Sequence, residues 1–347
     1  MKIAIIGGTK GLGKTLAMIL SKENFDITIT GRDKSYGVKV AKELGVKYSN
    51  NNKKTASLNE IVIIAVPIVG VVDVIEEIAT YLEEGSLLLD VTSVKEGPSE
   101  AMAKLLPEYV EFIPTHPVFG PRTNNLNGQV IVLTPFKKGK WYPKVFNFLK
   151  NHKVRIIESS PKEHDDMMSI VQVLTHFSYI STAVAIERLG VNIGQTRKFA
   201  SPIYNLMVDM ISRIVSQNPV LTYSIQIENE NGEKVREAFA ESVNELKKIL
   251  SLKEEDEFVK IATAATNNMD DIQAALGRSD KAIDSLMEEL VLLKSAMGKK
   301  IAVEHIRSGN VYVGVLKELD PDYLTIAVED TFKKLKIANV KILDDKF

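Results

Sequence analysis

KIAIIGGTKGLGKTLAMIL, residues 2 to 20, decides the fold. A short apolar run, IAII at 3 to 6, ends in glycines at 7, 8, 11 and 13, and an amphipathic segment follows. That order reads as strand, glycine turn and helix. Such a turn lets the backbone approach a pyrophosphate closely, and N–H groups of the helix receive its charge. A lone glycine pattern is weak, but at the first strand-to-helix turn of an alternating chain it points to dinucleotide binding. The expected cofactor contacts are Gly7, Gly8, Thr9, Lys10, Gly11, Leu12 and Gly13. Counted from Gly8 as GxGxxG, the second glycine is replaced by Lys10. Counted from Gly7, the spacing is that of short-chain dehydrogenases, but none of the tyrosines has the lysine four residues on that such enzymes need.

Outward from this stretch the alternation continues. ITIT (27–30), IVIIAV (61–66), LLLDV (87–91), VEFI (110–113) and VIVLTP (130–135) are strand-like, and SYGVKVAKELG and VVDVIEEIATYL are helical. This predicts a Rossmann-like, doubly wound α/β sheet over residues 1–158, closing near VRII at 154–157. From Pro161 to Met297 the period is helical throughout, which predicts an all-helical substrate and dimerisation domain over 159–297. After GKK at 298–300 the pattern becomes short alternating strands with SGN and DPD turns, so residues 298–347 are read as a small SH3/Sm-like β-barrel.

Composition narrows the function. The chain has 347 residues and a formal net charge of −1, which argues against nucleic acid or an anionic membrane as partner. It has no cysteine, which excludes disulfides, thiolate catalysis and zinc–thiolate clusters, and no metal is expected. No secretory signal is visible, and no apolar stretch approaches the roughly 20 residues that span a bilayer. A cytoplasmic location is expected. At the end of the second strand stands GRDK, with Arg32 where an acid would grip an adenosine ribose and Asp33 just after it. An arginine there suits a 2′-phosphate, so NADP is favoured over NAD. The other reading makes Arg32 a solvated charge and Asp33 the ribose ligand.

Chemistry-bearing residues gather in three stretches: DVTSVKEGP (90–98), THPVFGP (115–121) and EHDDMMSIVQVLTHF (163–177). The first two follow sheet strands, at the edge where α/β enzymes place their sites. There His116 can act as a general base and Ser93 can share its substrate oxygen. Asp165, Gln172 and His176 are spaced by seven and four, as on one helix face lining a cavity.

GGTKGLGK, DVTSVKEGPSEAM, HPVFGP, EHDDMMSIVQVLTHF and SPIYNLMVDMISRIVSQNP, in this order, resemble the prephenate dehydrogenases of tyrosine biosynthesis over roughly residues 1–270. The resemblance implies oxidation of prephenate to 4-hydroxyphenylpyruvate with loss of carbon dioxide and hydride transfer to NAD(P). It implies His116 as the base on the ring hydroxyl and Ser93 as a contact to that hydroxyl. It also implies Arg213 as ligand to a substrate carboxylate, His176 in the substrate pocket, and Lys95, Gln172 and His164 nearby. An intertwined homodimer is implied as well. Arogenate dehydrogenase is the nearest alternative; another NADP-dependent oxidoreductase, or a nucleotide sensor with the barrel as output, stands further off. No chorismate mutase segment is seen ahead of the first strand, and the tail is too short for an ACT domain. The tail places Gly309, Gly314, Leu316 and Asp320 as an Sm-like barrel would, but Leu324 stands where a base-binding asparagine belongs. His152 and His305 lie outside every motif.

Overall fold

The computed structural model describes residues 1–306, 308–320 and 322–343. Six strands form the central sheet: β1 (Lys2–Ile6), β2 (Asp26–Thr30), β3 (Lys47–Ser49), β4 (Ile61–Ile64), β5 (Leu87–Asp90) and β6 (Glu111–Phe112). All pair in parallel, in the order β3-β2-β1-β4-β5-β6. Helices α1 (Gly11–Leu20), α2 (Lys34–Leu44), α3 (Asn52–Ala56), α4 (Val71–Ile78) and α5 (Glu96–Leu105) make the crossovers. Successive strand residues face opposite ways, so Ile3 and Ile5 pack with Leu16, Ile19 and Ile29, while Ala4 and Ile6 pack with Val62, Ile64 and Ile75. Both faces are covered, which is why these strands read as unbroken apolar runs. Each fully buried Ile or Leu contributes about 1.5–3 kcal/mol. The short β3 and α3, drawn from the polar stretch KYSNNNKKTA, carry too little hydrophobic pattern to be visible in the sequence.

One expectation needs correcting. The apolar runs after residue 113 do not extend the central sheet. β7 (Thr115–Pro117), β8 (Val130–Leu133) and β9 (Arg155–Glu158) form a separate three-stranded sheet, with α6 (Tyr142–Asn151) between β8 and β9. Within it β7 runs antiparallel to β8, and β8 parallel to β9. At the junction the Pro114 carbonyl accepts from Thr134 N at 3.0 Å, and from Thr115 on the chain pairs with β8. THP, which the sequence places only after a strand, is itself a short buried strand.

The helical part comprises α7 (Pro161–Met168), α8 (Thr175–Arg188), α9 (Ile193–Thr196), α10 (Pro202–Val215), α11 (Pro219–Glu228), α12 (Gly232–Leu252), α13 (Glu255–Asn267) and α14 (Ile272–Ser295). Ser160 caps α7 through Glu163 N at 3.1 Å, with Pro161 in the first turn. Between α7 and α8, Ser169–Leu174 winds as a π-helix. A wider turn shifts the phase of everything after it, so Asp165, Gln172 and His176 do not follow the simple seven-and-four spacing of an α-helix face. Against expectation, the continuous run Pro161–Arg188 is long and apolar enough to cross a membrane by length and composition. Its first turns nonetheless bury His164 and Asp165 in hydrogen bonds to other residues.

By compactness the chain divides into two units, Met1–Lys198 with Met207–Lys247, and Phe199–Leu206 with Lys248–Phe347. The second holds five antiparallel strands, β10 (Lys300–His305), β11 (Val311–Leu319), β12 (Tyr323–Val328), β13 (Thr331–Lys336) and β14 (Val340–Leu343). Their order is β13-β12-β11-β10-β14, and Val303, Leu316, Leu324 and Ile326 close a core with Leu293 of α14. The sequence shows no basic–aromatic cluster here, yet pairing brings Lys334 and Lys336 over the Tyr323 ring, at 4.8 and 5.7 Å. Residues separated by more than ten positions become neighbours only once β12 and β13 pair.

Candidate active site

The strand order reverses between β1 and β4, and ligands of such sheets bind in the crevice at that switch point. The glycine turn sits there. Gly7 has φ +85°, and a Cβ on it would lie 2.6 Å from the Ala65 carbonyl oxygen; one on Gly13 would lie 2.4 Å from the Gly7 oxygen. Both positions require glycine, the first for its backbone and both for close approach. No side chain caps the N-terminus of α1, whose first residues are Gly11, Leu12 and Gly13. An uncapped helix start beside a glycine cradle fits a pyrophosphate. Lys10 takes an extended backbone (φ −139°, ψ 167°) open to any L-residue, so the lysine in place of a glycine costs nothing locally. Its ammonium lies 5.1 Å from the centre of the Tyr36 ring. Gly8 closes the turn through its N–H to the Ile5 carbonyl at 3.2 Å, and Thr9 is buried.

At the end of β2, the Asp33 carboxylate is engaged locally, capping α2 by accepting from Tyr36 N at 3.0 Å. Arg32 is exposed and makes no hydrogen bond or ion pair among the described residues.

The loop after β7 is tied to the nucleotide helix, because Thr15 Oγ1 donates to the Pro121 carbonyl at 3.0 Å. His116, 3 % exposed, lies at the centre of a chain of polar contacts. Asp165 Oδ1 lies 2.6 Å from His164 Nδ1, His164 Nε2 lies 2.8 Å from His116 Nδ1, and Gln172 Nε2 lies 3.3 Å from His116 Nε2. The carboxylate can only accept, so a neutral His164 carries its proton on Nδ1 and offers a bare Nε2. His116 must then donate from Nδ1, which leaves Nε2 as its lone-pair nitrogen. Burial above all holds the His116 pKa well below the usual histidine range. Asp165 also accepts from Lys95 N at 2.8 Å and Glu96 N at 2.9 Å, capping α5. That role, and the buried Asp90 at the end of β5, were not read from the sequence. The signal was present: an EHDD cluster opening an apolar helix, and an aspartate ending an apolar strand.

The remaining sequence candidates divide. Ser93 Oγ and His176 Nδ1 are buried without a hydrogen-bond partner, and burial lowers the His176 pKa. Lys95 departs from the expected substrate role, because its side chain is fully buried and its ammonium is bound to Asp90, Thr92 and the Thr115 carbonyl. Arg213 is exposed in the last turn of α10 and makes no contact with Ser93 or His116 among the described residues. A separate cavity of about 590 Å³ runs between the π-helix and α12, lined by Asp166, Ser169, Leu174, Lys234 and Phe239, and none of the proton-chain residues lines it.

Comparison with known proteins adds the family. Residues 16–158 match the model of the prephenate dehydrogenase nucleotide-binding domain, and residues 160–264 that of the prephenate dehydrogenase dimerization domain. A probable arogenate/prephenate dehydrogenase of Methanocaldococcus jannaschii is 43 % identical over 99 % of this chain and 78 % of its own length. Among solved structures, Aquifex aeolicus prephenate dehydrogenase, in complex with hydroxyphenyl propionate and NAD+, aligns with a TM-score of 0.61 and 20 % identity. That alignment covers 77 % of this chain and 96 % of the other. Synechocystis arogenate dehydrogenase aligns with a TM-score of 0.56 and 20 % identity, over 81 % of this chain and all of its own.

Proposed function

The chain belongs to the prephenate dehydrogenase family, and we propose that it converts prephenate to 4-hydroxyphenylpyruvate and carbon dioxide, with NADP as the favoured hydride acceptor. The observation that carries this reading is the buried Asp165–His164–His116 chain of polar contacts, which reaches Gln172 at His116 Nε2.

The nicotinamide, when bound, supplies the acceptor for the hydride on the ring carbon that bears the hydroxyl. His116 Nε2 takes the hydroxyl proton as that hydride departs, and Ser93 Oγ donates to the same oxygen. The proton gained makes an imidazolium, whose charge is relayed through His164 towards the Asp165 carboxylate. Loss of the ring carboxylate as carbon dioxide then delivers its electron pair to the ring, which becomes a phenolate, and His116 returns the proton to that oxygen. A positioned base of this kind contributes about 10²–10⁴-fold. The substrate's second carboxylate is assigned to Arg213 by a bidentate pair, on the strength of the family motif rather than of a contact in the single chain. His176 and Gln172 contribute polar edges to the same pocket. Arg32 would pair with a 2′-phosphate, with the Lys10 ammonium as a second cation near Tyr36.

Arogenate differs only by an amine in place of the side-chain ketone, and the name of the Methanocaldococcus jannaschii relative covers both substrates. The test is anaerobic mixing of the protein with prephenate or arogenate and either NADP or NAD. Reduced nicotinamide should appear fastest with prephenate and NADP. No reduction with either substrate contradicts the reading, and faster reduction with arogenate moves it to the alternative.

A further inference from the structure

Lys95 is the least expected side chain in the site. A lysine almost never lies fully buried unless paired, and this one has no exposed surface. An ammonium has three N–H donors and no acceptor. Here all three are used: one to Asp90 Oδ2, one to Thr92 Oγ1 at 3.2 Å and one to the Thr115 carbonyl at 2.8 Å. No donor is left for a substrate. The same residue's main-chain N–H points the other way and donates to both Asp165 oxygens, at 2.8 and 3.0 Å.

Joined to the contacts already described, these bonds close a ring. It runs from Lys95 N to Asp165, to His164, to His116, back one residue to the Thr115 carbonyl, and through that carbonyl to Lys95 Nζ. The strand that carries the imidazole is also pinned from its other side, since Thr115 Oγ1 donates to the Asp90 carbonyl. One residue thus fixes both the backbone that carries the base and the carboxylate that orients its partner.

We propose that Lys95 is a positioning residue for the reaction assigned above, bracing His116 from two directions at once and never touching substrate. The proposal rests on His116 being the base. The charged and titratable groups facing that imidazole are His164 and Asp165 from α7, and Lys95 and Asp90 from the corner between β5 and α5. Lys95 contributes positive charge there, which disfavours the imidazolium.

Lys95→Met alone strands the Asp90 carboxylate in the core, so the test adds Asp90→Asn/Lys95→Met, which keeps the oxygen that accepts from Thr92 N. Two readouts are taken on both variants. In steady-state kinetics with prephenate, kcat should fall by about 10²-fold, the scale of a misplaced catalytic group, while KM stays nearly unchanged. In histidine-ring NMR of the protein without ligands, the His116 titration midpoint should move up in Lys95→Met, which loses the cation alone. A raised KM at unchanged kcat would mean that Lys95 binds substrate and would overturn the proposal. So would an unmoved His116 titration in folded Lys95→Met, or an unchanged kcat in the folded double variant. Because the NMR readout needs no substrate, a wild-type protein that fails to oxidise prephenate counts against the assigned reaction and not against this brace.

Discussion

His116 draws its character from its neighbours. Burial above all, with the Lys95 ammonium, disfavours its imidazolium, so its pKa lies well below the usual histidine value of about 6.5. The base must be neutral to work; its active form is therefore complete above the lowered pKa and is lost as pH falls through it. The expected outcome is a kcat/KM profile that is flat through neutral pH, with its acid limb well below the ordinary histidine range. A limb at or above that range contradicts the assignment. Arg32 yields a second prediction at this scale. With Asp33 occupied as the α2 cap, Arg32→Asp should reverse the preference between NADP and NAD in kcat/KM. An unchanged ratio means that the guanidinium never meets a phosphate. Both residues were visible in the sequence as types at telling positions. The partner that orients His116 was not, because the carboxylate of Asp165 lies 49 positions further along the chain and reaches the base only through a second histidine.

At the level of elements, the glycine turn, the parallel strands and the helical run from Pro161 were legible because each repeats a local period. What escaped is non-local or phase-shifting. The chain leaves the central sheet at Pro114 for a second sheet, and the π-helix at Ser169–Leu174 alters which side chains face the base. No hydrophobic pattern announces either event. The first turn of α1 offers a direct test. A Cβ at position 13 would press on the Gly7 carbonyl oxygen at 2.4 Å, a backbone atom with little room to yield. Gly13→Ala should destabilise the protein by about 1–3 kcal/mol in denaturant titration and weaken dinucleotide binding with it. Wild-type stability and affinity in that variant would mean that the turn is not the close-packed cradle described.

On the scale of the whole molecule, every side chain of the proton chain lies between Asp90 and His176, within one compact unit. The five-stranded sheet from β10 to β14 contributes none of them. Truncation before Lys300 should therefore leave prephenate-dependent nicotinamide reduction in place, even if the exposed Leu293 lowers solubility. Loss of turnover from a still-folded truncation would give this sheet a part in the chemistry. The family's dimerization domain matches residues 160–264, so the same experiment should still report a dimer by sedimentation. The sheet itself was legible from period-two alternation, whereas its lysine–tyrosine cluster exists only through strand pairing.

The proposed proton transfer depends on which nitrogen of His116 is bare. Nitrogen-15 shifts of the histidine rings, recorded at neutral pH on the protein without ligands, report this directly. The prediction is a neutral His116 with its proton on Nδ1 and a lone pair on Nε2. A proton found on Nε2, or a charged ring at that pH, would contradict it.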